Sequence, residues 1–224
     1  MNFKQYMIPC PAMLIPTKTF EDVLLLEQPE GYIKDPANAH HWTTSYVWKK
    51  IIPMIANDYN LSINPEDFEL IEFKNDWGDL SYHKSKISKN FIYHDLENNI
   101  TLNGNDEILR VSQSETAISD YHRLYRGAHK VTYIENLSIK TNRVLLINGD
   151  SMTIPIIPIL ANYFNKIICL DNRSKNDIKY ENLVNWDEIT DYMCMFCTDA
   201  WFPPRCFPQK YIQPYIDGTI KEFI

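Results

Sequence analysis

Glycine is scarce in this chain, with six in 224 residues against thirteen prolines, so proline, asparagine and aspartate have to make most of its turns. No stretch comes near the roughly 18–20 consecutive apolar residues that cross a bilayer as a helix. The apolar run at 7–16 holds three prolines and no small-residue cleavage site, which is not the pattern of a signal peptide. Nor is there a polybasic run to grip an anionic membrane. Basic residues number 22 and acidic ones 29, a formal net charge of −7. That balance excludes a general nucleic-acid binder, whose affinity comes from neutralising phosphates. Repeats, low-complexity tracts and linkers are missing too, and residues 1–224 read as one domain.

Cysteine is sparse and odd in number: Cys10, Cys169, Cys194, Cys197 and Cys206. Five thiols do not make a closed disulfide framework. Cys194-x-x-Cys197 with Cys206 falls short of the four ligands of a structural zinc site, and no histidine lies near to complete it. Cys194 sits in an apolar stretch, where a thiol behaves as a small buried hydrophobe. No metal and no bound cofactor are expected.

What the chain does contain is ordinary globular material, 45% hydrophobic and 23% charged. Short continuous apolar runs at 6–8, 143–148, 166–170 and 192–196 predict strands covered on both faces. Between the second and third of these, residues 153–164 place Ile156, Ile157, Leu160 and Phe164 at helical spacing. Pro155 and Pro158 fall in the first turns of that helix, where a missing N–H matters least. Strand, helix and strand joined by short turns are the unit of an α/β sheet, predicted here to be mainly parallel. A second helix is predicted over 43–56, with Val47, Ile51 and Ile55 on one face and Pro53 either kinking it or shifting its register. The polar region 85–120, with Asn98-Asn99 and Asn103-Gly104-Asn105-Asp106, predicts turns and short strands.

The motif that points to chemistry is Val144-Leu145-Leu146-Ile147-Asn148-Gly149-Asp150-Ser151-Met152, a buried strand running straight into the helix. A serine hydroxyl is a weak nucleophile and needs a base, an oxyanion site and an exposed position. A strand-to-helix turn sits at the carboxyl edge of the sheet, where open α/β folds bind ligands. The following helix start directs N–H groups and a positive dipole end at the site. An alternative reading stays open, because Asp150-Ser151 before a helix also fits a plain N-cap. A competing copy, Gly78-Asp79-Leu80-Ser81, follows the polar break Lys74-Asn75-Asp76-Trp77 and reads as a loop beside the site.

Six histidines are candidate bases, and His41 stands out within Asn38-Ala39-His40-His41-Trp42-Thr43, just ahead of the second helix. This segment resembles the Asp-x-His-Trp motif of the alginate O-acetyltransferase family, AlgX/AlgJ-like proteins related to SGNH hydrolases. Trp77-Gly78-Asp79-Leu80, Gly149-Asp150-Ser151-Met152 and Leu170-Asp171-Asn172-Arg173 resemble further segments of the family in the same order. The resemblance implies a three-layer α/β/α SGNH-like fold in a permuted order, His motif before Ser motif. It implies Ser151 as nucleophile and His41 as base, with Gly149, Asp150, Met152, Trp42 and Arg173 around the substrate and oxyanion. The expected activity is O-acetylation of a surface polysaccharide through an acetyl-Ser151 intermediate, with an acetyl donor as co-substrate and no other cofactor. Relatives usually work in the periplasm or beyond; no localisation is assigned to this chain.

Two departures leave alternatives open. The family's aspartate two residues before the base is Ala39 here. Asp35 or Asp79 could take its place, a Ser–His dyad could work alone, or the protein could be a binding relative that has lost the chemistry. No Gly-x-Asn-Asp follows the last strand, which reads Cys197-Thr198-Asp199-Ala200-Trp201. A carbohydrate acetylesterase would use the same residues as a transferase.

Overall fold

The computed structural model describes residues 2–8, 44–75, 78–96, 98–109, 131–171 and 184–197. Its strands are β1 (Asn2–Ile8), β2 (Phe68–Asn75), β3 (Gly78–Ser85), β4 (Phe91–Asp95), β5 (Ile100–Gly104), β6 (Val131–Asn136), β7 (Val144–Gly149), β8 (Lys166–Asp171) and β9 (Asp191–Cys197). Seven of them form one sheet in the order β1-β9-β7-β8-β6-β4-β5, and β2 and β3 pair separately. The four apolar runs are β1, β9, β7 and β8, which lie side by side and parallel. The expectation of a mainly parallel sheet needs correction: β6, β4 and β5 add three antiparallel pairings to the three parallel ones. These added strands come from the polar middle of the chain, where alternation suits a sheet with one solvated side and short returns make antiparallel neighbours.

Two-sided burial explains why β7 reads as an unbroken apolar run. Leu145 and Leu146, on opposite faces, are both 0% exposed. Leu145, Ile147, Ile167, Cys169, Met193 and Met195 face the larger core, beneath the helices. On the other face Leu146, Ile168, Leu170 and Tyr192 pack under Val184, Trp186 and Ile189. Among the described residues, the covering on that second face is the segment 184–190 with its single 3₁₀ turn. The fold is therefore mixed α/β, with a sheet-dominated core and few helices among the described residues.

Both predicted helices are reshaped by proline. The first is a continuous rod of α1 (Thr44–Tyr46), a π-helical stretch (Val47–Ile51) and α2 (Ile52–Asp58). Pro53 has no N–H, and its ring crowds the carbonyl four residues back. The wide turn opens the ladder just before it, with Ile52 N–H bonding the Val47 carbonyl. The sequence allowed a kink or a register shift, and the shift is what occurs. Asn60, at φ 52°, ends the rod in the left-handed region. The predicted helix at 153–164 shrinks to α3 (Ile157–Leu160) preceded by a 3₁₀ turn at Ser151–Thr153. Pro155 and Pro158 both lack donors, so bonds such as Thr153 N–H to Asp150 O (3.0 Å) and Ile156 N–H to Thr153 O (3.1 Å) hold tighter turns instead.

The segment 78–85, expected to be a loop, is strand β3 of a hairpin with β2, pairing Leu70 with His83 and Phe68 with Ser85. Its polar alternation is what a ribbon with solvated surface shows, and Lys74 and Asn75, read as part of a break, are the last residues of β2. The His83 ring stacks on Trp48 at 4.0 Å and 11°, and burial holds its pKa down from 6.5 to about 4. The neutral ring is the form the fold favours, so this contribution is complete above pH 6.5 and is lost as pH falls through about 4. His83→Phe should keep the stack and flatten the decline of Tm across that window, as read by thermal unfolding at stepped pH. At the amino edge, Arg143 grips Asp191 with Nη2 to Oδ1 at 2.6 Å and Nε to Oδ2 at 3.1 Å. Asp191 is 3% exposed. Arg143→Met would leave that carboxylate buried without its cation and should lower unfolding stability by about 3 kcal/mol in a urea titration.

Candidate active site

β7 delivers the serine motif to the carboxyl edge of the sheet, between β8 and β9. Asn148 is 0% exposed and donates from Nδ2 to the Tyr192 hydroxyl at 3.1 Å, a buried polar pair just below the turn. Gly149 closes the strand, and glycine is required there by proximity rather than by an unusual φ. A Cβ at 149 would press into Thr153 Cγ2 and stand 2.7 Å from the Met195 carbonyl oxygen of β9. Bonding continues one residue on, where Asp150 N–H reaches the same Met195 carbonyl at 3.3 Å.

Asp150 is the cap of the turn. Its Oδ1 accepts the Met152 N–H at 2.9 Å, and its carbonyl accepts the Thr153 N–H at 3.0 Å and the Thr153 hydroxyl at 2.8 Å. The two readings of Asp150-Ser151 thereby separate: the aspartate caps, and the serine is the first residue of the 3₁₀ turn, 4% exposed. With the Met152 and Thr153 N–H groups engaged in this way, a negative oxygen at the site would need other donors.

A pocket of about 50 Å³ opens beside the turn, between the sheet and α3. Ile147, Ile154, Ile157 and Pro158 supply apolar wall, while Asp150 and Asp171 stand among its polar groups. Asp171 ends β8 directly beside Gly149 in the parallel ladder, which the sequence signalled only as a strand end. Cys169 also lines the pocket. Burial pushes its thiol up to about 12, against the opposing effect of a hydrogen bond with Thr132, so it is a neutral thiol near pH 7 and a poor nucleophile. Among the described residues, no group of three or more His, Cys, Asp or Glu side chains is placed to hold a metal.

Of the sequence candidates, Gly149, Asp150, Ser151 and Met152 are together at this turn. Asp79 lies in the β2–β3 hairpin opposite Lys74, outside the main sheet. Asp35, His41, Trp42 and Arg173 lie outside the described residues, as does Ala39. The far end of the rod is tied to the sheet: Tyr59 donates its hydroxyl to the Tyr192 carbonyl at 2.8 Å, near the amino end of β9.

Neither protein-family models nor curated proteins match the chain. Solved structures do. A DHHW family protein from Eubacterium siraeum DSM 15702 superposes with a TM-score of 0.66 at 16% identity, over 90% of this chain and 79% of that one. Bacillus cereus PatB1 superposes with a TM-score of 0.54 at 18% identity, over 73% of this chain and 62% of PatB1. PatB1 carrying a sulfonyl adduct gives a TM-score of 0.53 at 19% identity, over 72% of this chain and 59% of that chain. The chain thus spans about three fifths of PatB1, and what these likenesses share with it is the fold. Substituting Gly149→Ala should lower stability by about 1–3 kcal/mol through overpacking against the Met195 carbonyl, measured as a reduced Tm with the far-UV spectrum retained.

Proposed function

We propose that the chain is a serine-dependent acyltransferase of SGNH type acting on carbohydrate, with Ser151 as nucleophile and His41 as base. The observation that carries this reading is the seat of Ser151: the first residue of a capped turn, at the carboxyl end of a strand buried on both faces. In support, the one-letter codes of the DHHW name spell Asp-His-His-Trp, and residues 39–42 read Ala-His-His-Trp. A sulfonyl adduct, as named for PatB1, is what a sulfonylating reagent leaves on an activated nucleophile. In this reading the three-layer arrangement, the permuted motif order and a single domain over 1–224 belong to the same proposal.

The steps follow ordinary acyl transfer. His41 takes the Ser151 proton as the oxygen attacks the carbonyl carbon of an acetyl ester. The bond to the donor's oxygen breaks, and that oxygen leaves with the proton from the imidazolium. A sugar hydroxyl then gives its proton to His41 and attacks the acetyl carbon; the bond to Ser151 Oγ breaks, and that oxygen takes the proton back from the imidazolium. Gly149, Asp150 and Met152 hold the turn, Trp42 and Arg173 face the glycan, and Asp35 or Asp79 steadies the imidazole. No cofactor beyond the acetyl donor enters. Water in place of the sugar makes the same site an acetylesterase. Among the described residues no helix is long and apolar enough to cross a membrane.

Ala39 favours a second reading, a carbohydrate-binding relative without turnover, because the residue that would orient the base is missing. Release of 4-nitrophenol from 4-nitrophenyl acetate separates the two. The enzyme reading expects wild-type release to fall to background, by 10²-fold or more, in both Ser151→Ala and His41→Ala. Equal rates in all three proteins, with glycan binding intact, would make the binding-only reading the right one.

A further inference from the structure

The β2–β3 hairpin pairs apart from the seven-stranded sheet. A two-stranded ribbon is marginally stable alone, so what it packs against decides where it sits. β3 lies against both α1 and α3. These two segments anchor the proposed pair in the chain. α1 begins three residues after His41, and α3 begins six residues after Ser151.

Named side chains grip each anchor. Phe68 and His83 share one face of the ribbon, because Phe68 stands opposite Ser85, two residues on from His83. That face closes on Trp48, one helical turn after Thr44. The His83 ring stacks on the indole at 4.0 Å and 11°, and Phe68 meets it edge-on at 5.2 Å and 61°. On the other side, the base of the hairpin is tied to the residues just past α3. Lys89 donates from Nζ to the Asn162 carbonyl at 2.9 Å and stands 5.6 Å from the centre of the Tyr163 ring. Lys86 N–H closes the base on the Asp67 carbonyl at 2.8 Å, and the Asp67 charge acts on both Lys89 and Tyr163. With one side on the rod and the other on α3, the hairpin fixes their separation.

We propose that this separation sets the working distance between His41 and Ser151, and that His83 is a positioning residue acting through Trp48. The inference rests on Ser151 and His41 being nucleophile and base. A misplacement of about 1 Å between reacting groups can cost on the order of 10²-fold in rate, so a modest shift of the rod suffices.

The test follows sulfonylation of Ser151 by phenylmethanesulfonyl fluoride, in which Oγ bonds to sulfur, fluoride leaves and His41 takes the serine proton. The final extent of labelling counts folded sites, while the rate constant reports the Ser–His geometry. A merely structural role lowers the first and leaves the second. His83→Ala should label to the wild-type extent with a rate constant lower by about tenfold or more. His83→Phe, which restores a stacked ring, should return the rate constant to near the wild-type value. Lys89→Met cuts the tie to Asn162 and should also slow labelling, and it carries the test if His83→Ala does not fold. An unchanged rate constant in the folded variants, or His83→Phe as slow as His83→Ala, overturns the positioning role and leaves the nucleophile standing. Labelling of wild type no greater than that of Ser151→Ala overturns both.

Discussion

The close approach of β9 to the end of β7 is the constraint on which the serine turn depends. The Met195 carbonyl sits where a side chain at 149 would begin, and the same oxygen receives the Asp150 N–H. Only glycine permits that proximity, and the contact fixes where the chain leaves the sheet. Asp150 then spends its carboxylate and its carbonyl on the next two residues, which winds Ser151–Thr153 into a 3₁₀ turn. The position of Ser151 follows from three neighbours, each with a separate task.

Around that turn, proline decides the shape of the helices. With thirteen prolines in the chain, helix ladders are interrupted where the apolar pattern alone would run on. Pro53 is accommodated by widening to a π turn, Pro155 and Pro158 by tightening to 3₁₀ geometry. Opposite responses have a common cause, because a missing donor must be skipped in one direction or the other. The tightening matters for the site. It brings Ser151 and Ile154 into one column, where an ordinary α-helix would have spread them by 60° or so.

Around the turn, the neighbouring groups are held neutral or already engaged. Cys169 is held protonated by burial, and Asp150 is committed to the cap. The amino edge carries its own buried charge in Asp191, matched by Arg143 and by the Thr190 hydroxyl at 2.7 Å. Charge is therefore satisfied at one end of the sheet, and the opposite end presents a small apolar pocket with carboxylates beside it. Identity of 16–19% to solved structures with the same fold fits this division. The fold is what such distant chains have in common.

The sequence by itself determined the strands that needed burial on both faces. Runs such as Val144-Leu145-Leu146-Ile147 have no other stable home, so β7, β8, β9 and the end of β1 were legible. Legible too was the candidate motif at 149–152, because glycine, aspartate and serine between a strand and a helix have few uses. Hidden were the antiparallel half of the sheet and the β2–β3 hairpin, whose alternating polar residues are shared by loops and by half-solvated strands. Which of Asp150 and Ser151 caps the turn was also hidden, since both residue types can. Only the tertiary structure decided it, by setting Met195 against Gly149 from a strand more than forty residues away. Pockets and caps are made by segments distant in the chain, and local pattern records what a residue can do, not what it is placed against.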